Sequence, residues 1–255
     1  RKRNPDVLVS GSFIYENEFP APVTGIELNK GIYAEFVQWQ DPHLRWFPMP
    51  EEAYAWVKEQ WLGWQRTGLR MGYRPNYLHN GYVMPHVETR QSGDFLKFAY
   101  RHGMEGARFD SLTGQWAAHG LGLYMHLRLL NKPDLEIGKI RQEYFSAFGP
   151  AAGAVGRYCG YWEAYAADNV MRFLDLFQNP FFGYRYRAYP LKAHKAYPAD
   201  VFAPAVTLLD EALAQARADP LPEYAERVEF LRAGLRHAQL TVGLAGIFDG
   251  KKNVP

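Results

Sequence analysis

Two periodicities divide this 255-residue chain, and they meet at Pro133. Before it, short β-type runs alternate with helical stripes; after it, only the 3.6-residue period continues. Alternation of that kind builds a parallel sheet with helices packed against it. The sequence therefore predicts an α/β portion over 1–133 and an α-helical domain over 134–255. Residues 7–15 read as a first strand with two alternating sets: Leu8, Ser10, Ser12, Ile14, Glu16 and Val7, Val9, Gly11, Phe13, Tyr15. Further strands are predicted over 32–39, 69–79 and 107–110. The intervening helices fall near 51–65, where Tyr54, Val57, Trp61 and Trp64 keep helical spacing, near 93–102 and over 115–130. Between the first two strands lie about 16 residues without a helical pattern, which predicts an irregular crossover. Beyond Pro133, helices are expected over 134–148, 151–177, from a capping Asp200 to about 218, and over 223–246. A loop rich in Pro and Tyr fills 178–199.

Composition narrows the function classes. Lys plus Arg number 29 and Asp plus Glu 27, a net charge of +2, too balanced for a dedicated nucleic-acid or anionic-membrane binder. The single cysteine, Cys159, excludes an internal disulfide and a multi-cysteine metal site, and its helical setting predicts burial. No apolar run reaches the roughly 18 residues of a membrane span. The start Arg1-Lys2-Arg3-Asn4 is what a processed product or a piece of a longer chain would show.

The usual nucleotide, phosphate, zinc-protease and serine-hydrolase motifs do not occur. His79, His86 and Glu88 fit no standard ligand spacing, so neither a metal nor a cofactor is expected. Tyr184-Arg185-Tyr186-Arg187, with Lys192 and Lys195, interleaves bases and rings as single-strand binders do. It lacks a wider basic field, so nucleic acid is not an expected partner.

What remains is the set of polar and aromatic residues at predicted strand ends. In a parallel α/β barrel those ends form the active-site face. Tyr15, Gln38, Trp39, Tyr73, Arg74, Asn76, Tyr77, His79, Arg108, Asp110 and Trp116 are the candidate substrate-binding residues, and Glu16 is the candidate catalytic carboxylate. The mixture suits a sugar: rings lie against apolar pyranose faces, while carboxylates and amides bond the hydroxyls. Glycoside hydrolysis needs a proton donor and a second group at the anomeric carbon. Glu16 belongs to the alternating set with Ser10 and Ser12, which is expected to face the barrel mouth. Glu35 sits deeper and has a structural reading, an ion pair with Arg108; Tyr73 likewise reads as core.

Gly72-Tyr73-Arg74-Pro75-Asn76-Tyr77-Leu78, Gly106-Ala107-Arg108-Phe109-Asp110, Gln115-Trp116 through Tyr124, and Arg128 through Leu135 together resemble glycoside hydrolase family 163. Tyr144-Phe145, Phe148-Gly149-Pro150-Ala151 and Tyr158 look like its helical C-terminal region. The resemblance implies a β/α (TIM-type) barrel followed by a helical domain. It also implies endo-β-N-acetylglucosaminidase activity on complex N-glycans and an extracellular or periplasmic setting. This chain would match the C-terminal half of the barrel, strands five to eight, so the missing N-terminal half becomes an expected partner. The family's acidic pair has no counterpart here, and no catalytic residue is carried over by motif. Two functions stay open: a glycosidase seen as its C-terminal part, and a non-catalytic carbohydrate-binding or surface-attachment module.

Overall fold

Four strands lie side by side in chain order, β1 (Val9–Ile14), β2 (Ile32–Phe36), β3 (Arg70–Tyr73) and β4 (Met104–Ala107), and every neighbouring pair is parallel. Helix α1 (Glu51–Arg66) connects β2 to β3, and α2 (Arg90–Arg101) connects β3 to β4. This computed structural model describes residues 7–15, 19–23, 25–37, 48–75, 83–109, 115–177 and 192–251. The chain is mostly helical, and its sheet is small. Tight helix-to-strand turns are possible because Gly68 and Gly103 take φ of 78° and 82° just past α1 and α2, a conformation that costs glycine no Cβ clash.

The chain forms two units: Arg1–Leu78 with Arg90–Leu112 and Leu129–Asp134, and His79–Thr89 with Thr113–Arg128 and Leu135–Pro255. The first is built around Trp61, fully buried. Its ring meets Phe36 at 5.2 Å, Phe95 at 6.0 Å and Tyr73 at 6.3 Å, and its indole N–H donates to the His102 carbonyl at 3.0 Å. Sheet and both helices thus share one aromatic layer. The β1–β2 connection has no helix among its described residues, as its sequence suggests. Phe19 from it is buried, and the Phe19 carbonyl accepts from Trp64 Nε1 at 2.9 Å. The Gln60 side chain accepts from the Ala21 N–H at 2.8 Å.

β4 departs from its predicted span, since the run 107–110 had apolar Ala107 and Phe109 to mark it. Pairing instead begins at Met71↔Met104, immediately after the Gly103 turn. Glu105 breaks the apolar pattern because it answers Arg70 on the neighbouring strand at 2.7 and 2.9 Å.

The second unit is helical. It contains α3 (Trp116–Asn131) up to Arg128, α4 (Ile137–Ser146), α5 (Ala152–Asp168), α6 (Val170–Phe177), a short helix α7 over 192–196, α8 (Phe202–Arg217) and α9 (Pro222–Lys251). The single helix expected over 151–177 divides at Asn169, whose side chain donates to the Tyr165 carbonyl at 3.0 Å. A 3-10 turn, Ala199–Val201, precedes α8, so Asp200 lies within that turn and Val201 takes the capping position. Trp162 is the centre here, with Phe202 at 5.5 Å, Tyr165 at 5.7 Å and Tyr197 at 6.0 Å. Helices α3 and α9 approach closely: a Cβ on Gly234 would meet the Ala117 methyl at 2.4 Å. Cys159 is buried, and burial pushes its thiol up to about 12. No strand follows β4 among the described residues, and none of their helices is long and apolar enough to cross a membrane.

Candidate functional site

Alternation gives each strand two faces. Ile14, Phe36, Met71 and Tyr73 face α1 and α2 and are buried. The opposite face carries Phe13, Tyr33, Glu35 and Gly72, with Phe13 in register beside Glu35 and Glu35 beside Gly72. At the carboxyl end, the Arg74 N–H donates to the Phe36 carbonyl at 3.0 Å and the Arg108 N–H to the Tyr73 carbonyl at 2.9 Å. These bonds continue the ladder one step past β3 and β4 and fix where both arginine side chains leave the backbone.

There the charges converge. Arg108 grips Glu35 with two bonds, Nε to Oε1 at 3.0 Å and Nη2 to Oε2 at 2.5 Å. Arg74 Nε stands 3.8 Å from Glu35 Oε2, near enough to attract the carboxylate but too far for a hydrogen bond. Both guanidinium groups also lie over the Phe13 ring, at 5.3 Å for Arg74 and 5.9 Å for Arg108. Glu35 is 14% exposed, Arg74 19% and Arg108 60%, so the carboxylate is deep and the outer guanidinium faces water. Toward the amino ends, Tyr33 lies across Gly72, where a Cβ would meet its hydroxyl at 1.9 Å. Burial raises the Tyr33 hydroxyl pKa, and the charges of Glu35 and Glu105 add to the rise, so it remains a neutral donor.

The structure therefore brings Arg74 and Arg108 together. It places Tyr73 elsewhere: Tyr73 points to the helix side, fully buried against Trp61 and Phe95, which makes it part of the packing layer rather than of the strand-end surface. Tyr15 is half-buried just after β1. Trp116 opens α3 in the helical unit and is 45% exposed. Glu16, Gln38, Trp39, Asn76, Tyr77, His79 and Asp110 lie outside the described residues. One orientation is reversed. The alternating set expected at the mouth contains Ile14, and Ile14 is buried on the helix side, while Phe13 takes the opposite face. The ion pair of Glu35 with Arg108 is present. Sequence reasoning passed over Phe13 as a site residue; its membership of the same alternating set as Tyr15 was the available signal.

Both Glu35 oxygens accept from Arg108, which orients the carboxylate. Among the described residues no group of three His, Cys, Asp or Glu side chains could hold a metal ion. Comparison with family models, with curated proteins and with solved structures produced no match for this chain.

Proposed function

We propose that the chain is the C-terminal part of a glycoside hydrolase acting on N-acetylglucosamine-containing glycans, as its resemblance to glycoside hydrolase family 163 implies. The observation that carries this reading is the convergence of Phe13, Glu35, Arg74 and Arg108 at the carboxyl ends of parallel strands, where ligand sites of α/β folds form. A half-exposed ring beside charged hydrogen-bonding groups is suited to one sugar residue. The finer architecture, a β/α barrel, is part of the proposal. Parallel sheets are ordinarily buried on both faces, yet Val9 is 53% and Phe13 45% exposed on β1, an edge strand. Further parallel strands beside β1 and β4 would close the sheet around the Glu35 cluster.

In this reading Arg108, Arg74 and Glu35 hold and orient substrate, and proton transfer falls to another carboxylate, Glu16 or one contributed by the rest of the barrel. A second reading, a carbohydrate-binding or surface-attachment module without catalysis, is favoured by Glu35 being tied to Arg108. One experiment addresses both. Calorimetric titration of chitotriose and of a complex N-glycan into the full-length protein, with and without EDTA, is followed by product analysis. Binding that survives EDTA is expected. Released oligosaccharide supports the hydrolase, and binding without release supports the module. Failure of both glycans to bind, strict metal dependence, or binding of nucleic acid alone overturns the proposal.

A further inference from the structure

Helix α9 carries two apolar stripes. Val228, Leu231, Leu235, Ala238, Val242 and Ala245 step by three and four residues and are buried, in a helix that packs on α8. Phe230, Ala233, His237, Leu240, Leu244 and Ile247 keep the same spacing on the outer side, and all six are exposed. One stripe is enough to dock a helix on its own domain. A second, repeating by three and four, is the seam by which helices pair in coiled coils. We infer that the outer stripe of α9 is a dimer interface with α9 of a second copy of this chain, the two helices running antiparallel across a two-fold axis.

The stripe complements itself in one register. When two copies cross antiparallel about a point between Ala238 and Gln239, Phe230 meets the partner's Ile247, Ala233 the partner's Leu244 and His237 the partner's Leu240. Ring lies against branched chain, and the long leucine fills the room above a methyl. Moving one copy by a heptad sets Leu244 against the partner's Glu226 or carries Phe230 past the end of the partner's helix. A parallel pair would stack Glu226 on the partner's Glu226, like charge on like. Area points the same way. Phe230, Leu240, Leu244, Ile247 and the neighbouring Phe248 are each between 49% and 57% exposed. At about 200 Å² for a large apolar side chain, they offer about 500 Å² per copy and about 1,000 Å² for the pair, where specific interfaces begin. Beside the seam, nothing lies within 4 Å of where a Cβ on Gly243 would stand, so a second helix can approach the backbone there. A membrane surface would call for a broad apolar face bordered by Lys and Arg. This stripe is one seam wide, includes His237 and is bordered by Glu229 as well as Arg236.

Sedimentation equilibrium of the full chain tests the pairing. The expected mass is twice that of one chain, falling on dilution. Leu244→Glu should raise the dissociation constant about a hundredfold, because each dimer carries the change twice, and should leave the far-UV circular dichroism unchanged. Adding Ala233→Lys to Leu244→Glu should restore the dimer, since the antiparallel register sets each new carboxylate against the partner's new ammonium. In a parallel pair like would meet like, and nothing would be restored. Should Leu244→Glu not fold, oxidation of a variant with Ala233→Cys and Leu244→Cys decides instead, and peptide mapping must find position 233 joined to position 244 between chains. A chain that is monomeric at about 100 µM, above the micromolar range in which such interfaces hold, overturns the dimer, whether or not it floats with phosphatidylcholine vesicles. So does a dimer that Leu244→Glu leaves intact. A dimer lost in Leu244→Glu and not restored by Ala233→Lys, or disulfides joining only 233 to 233, overturns the antiparallel pairing.

Discussion

In the sheet unit Trp61 is ringed by Phe36, Tyr73 and Phe95; in the helical unit Trp162 is ringed by Tyr165, Tyr197 and Phe202. The charges around these two centres are handled differently. Behind the first layer, on the other side of a single sheet, Glu35 and Arg108 form a pair whose cationic end is open to water. In the helical unit Glu163 accepts from Arg141 at 2.7 Å and from the Thr89 hydroxyl at 2.8 Å, with both charged side chains under a quarter exposed. His119 and His126 are buried there as neutral rings. The difference is one of geometry. A sheet has two faces, and helices on one leave the other to carry charge at the strand ends. A helical bundle closes around its polar groups and must satisfy them internally. Ligand chemistry is accordingly expected in the sheet unit and scaffold behaviour in the helical one.

The broadest way to break that comparison is to remove the two centres. Trp61→Ala and Trp162→Ala should each cost about 3–5 kcal/mol, measured by urea unfolding. A loss below about 1 kcal/mol at either site would mean its cluster is not a core.

Acid sharpens the contrast next. Burial lowers His119 from 6.5 to about 4, with nearby His86 adding to the effect, and burial alone lowers His126 to about 4 against its bond to the Gly122 carbonyl. Between those values the unfolded chain binds the protons and the folded one does not. Stability is therefore fully present above pH 6.5 and falls as pH drops toward 4, by on the order of 3 kcal/mol per histidine. Denaturation followed across pH 7 to 4 should show this slope, and His126→Leu should reduce it. An unchanged slope would remove His126 from the account.

Paired charges come third. Glu163→Ala strands Arg141 in a poorly exposed site and should cost about 2 kcal/mol. Glu35→Ala removes the 3.8 Å attraction on Arg74 but leaves Arg108, the hydrogen-bonded partner, largely in water, and should cost less, about 1 kcal/mol. Thermal melts of the two variants test the ordering, and equal losses would erase the distinction between closed and open settings.

The turns come last. Gly149→Ala meets both a φ of 54° and the Tyr224 ring at 2.5 Å, whereas Gly68→Ala meets a φ of 78° with its nearest neighbour, the Leu28 carbonyl oxygen, at 3.7 Å. The second should cost about 1 kcal/mol and the first more. The reverse order in melting temperature would show that Tyr224 yields freely.

Local period and side-chain chemistry determined the parallel α/β portion, the helical remainder, the lack of a helix among the described residues between β1 and β2, and the burial of Cys159. Each follows from spacing within a few residues or from a side chain's own chemistry. Partners far apart in sequence were less legible. The Glu35–Arg108 pair could be suspected from two opposite charges near strand ends, but its bidentate geometry and the arrival of Arg74 depend on β2, β3 and β4 being neighbours in register. Alternation separated Phe13 from Ile14 without saying which of them meets the helices; that was decided by the side of the sheet on which α1 and α2 pack. The same choice put Tyr73 in the core and Arg74, one residue later, at the site. Period two is written in the chain, but which face is inside is a property of the assembled layers.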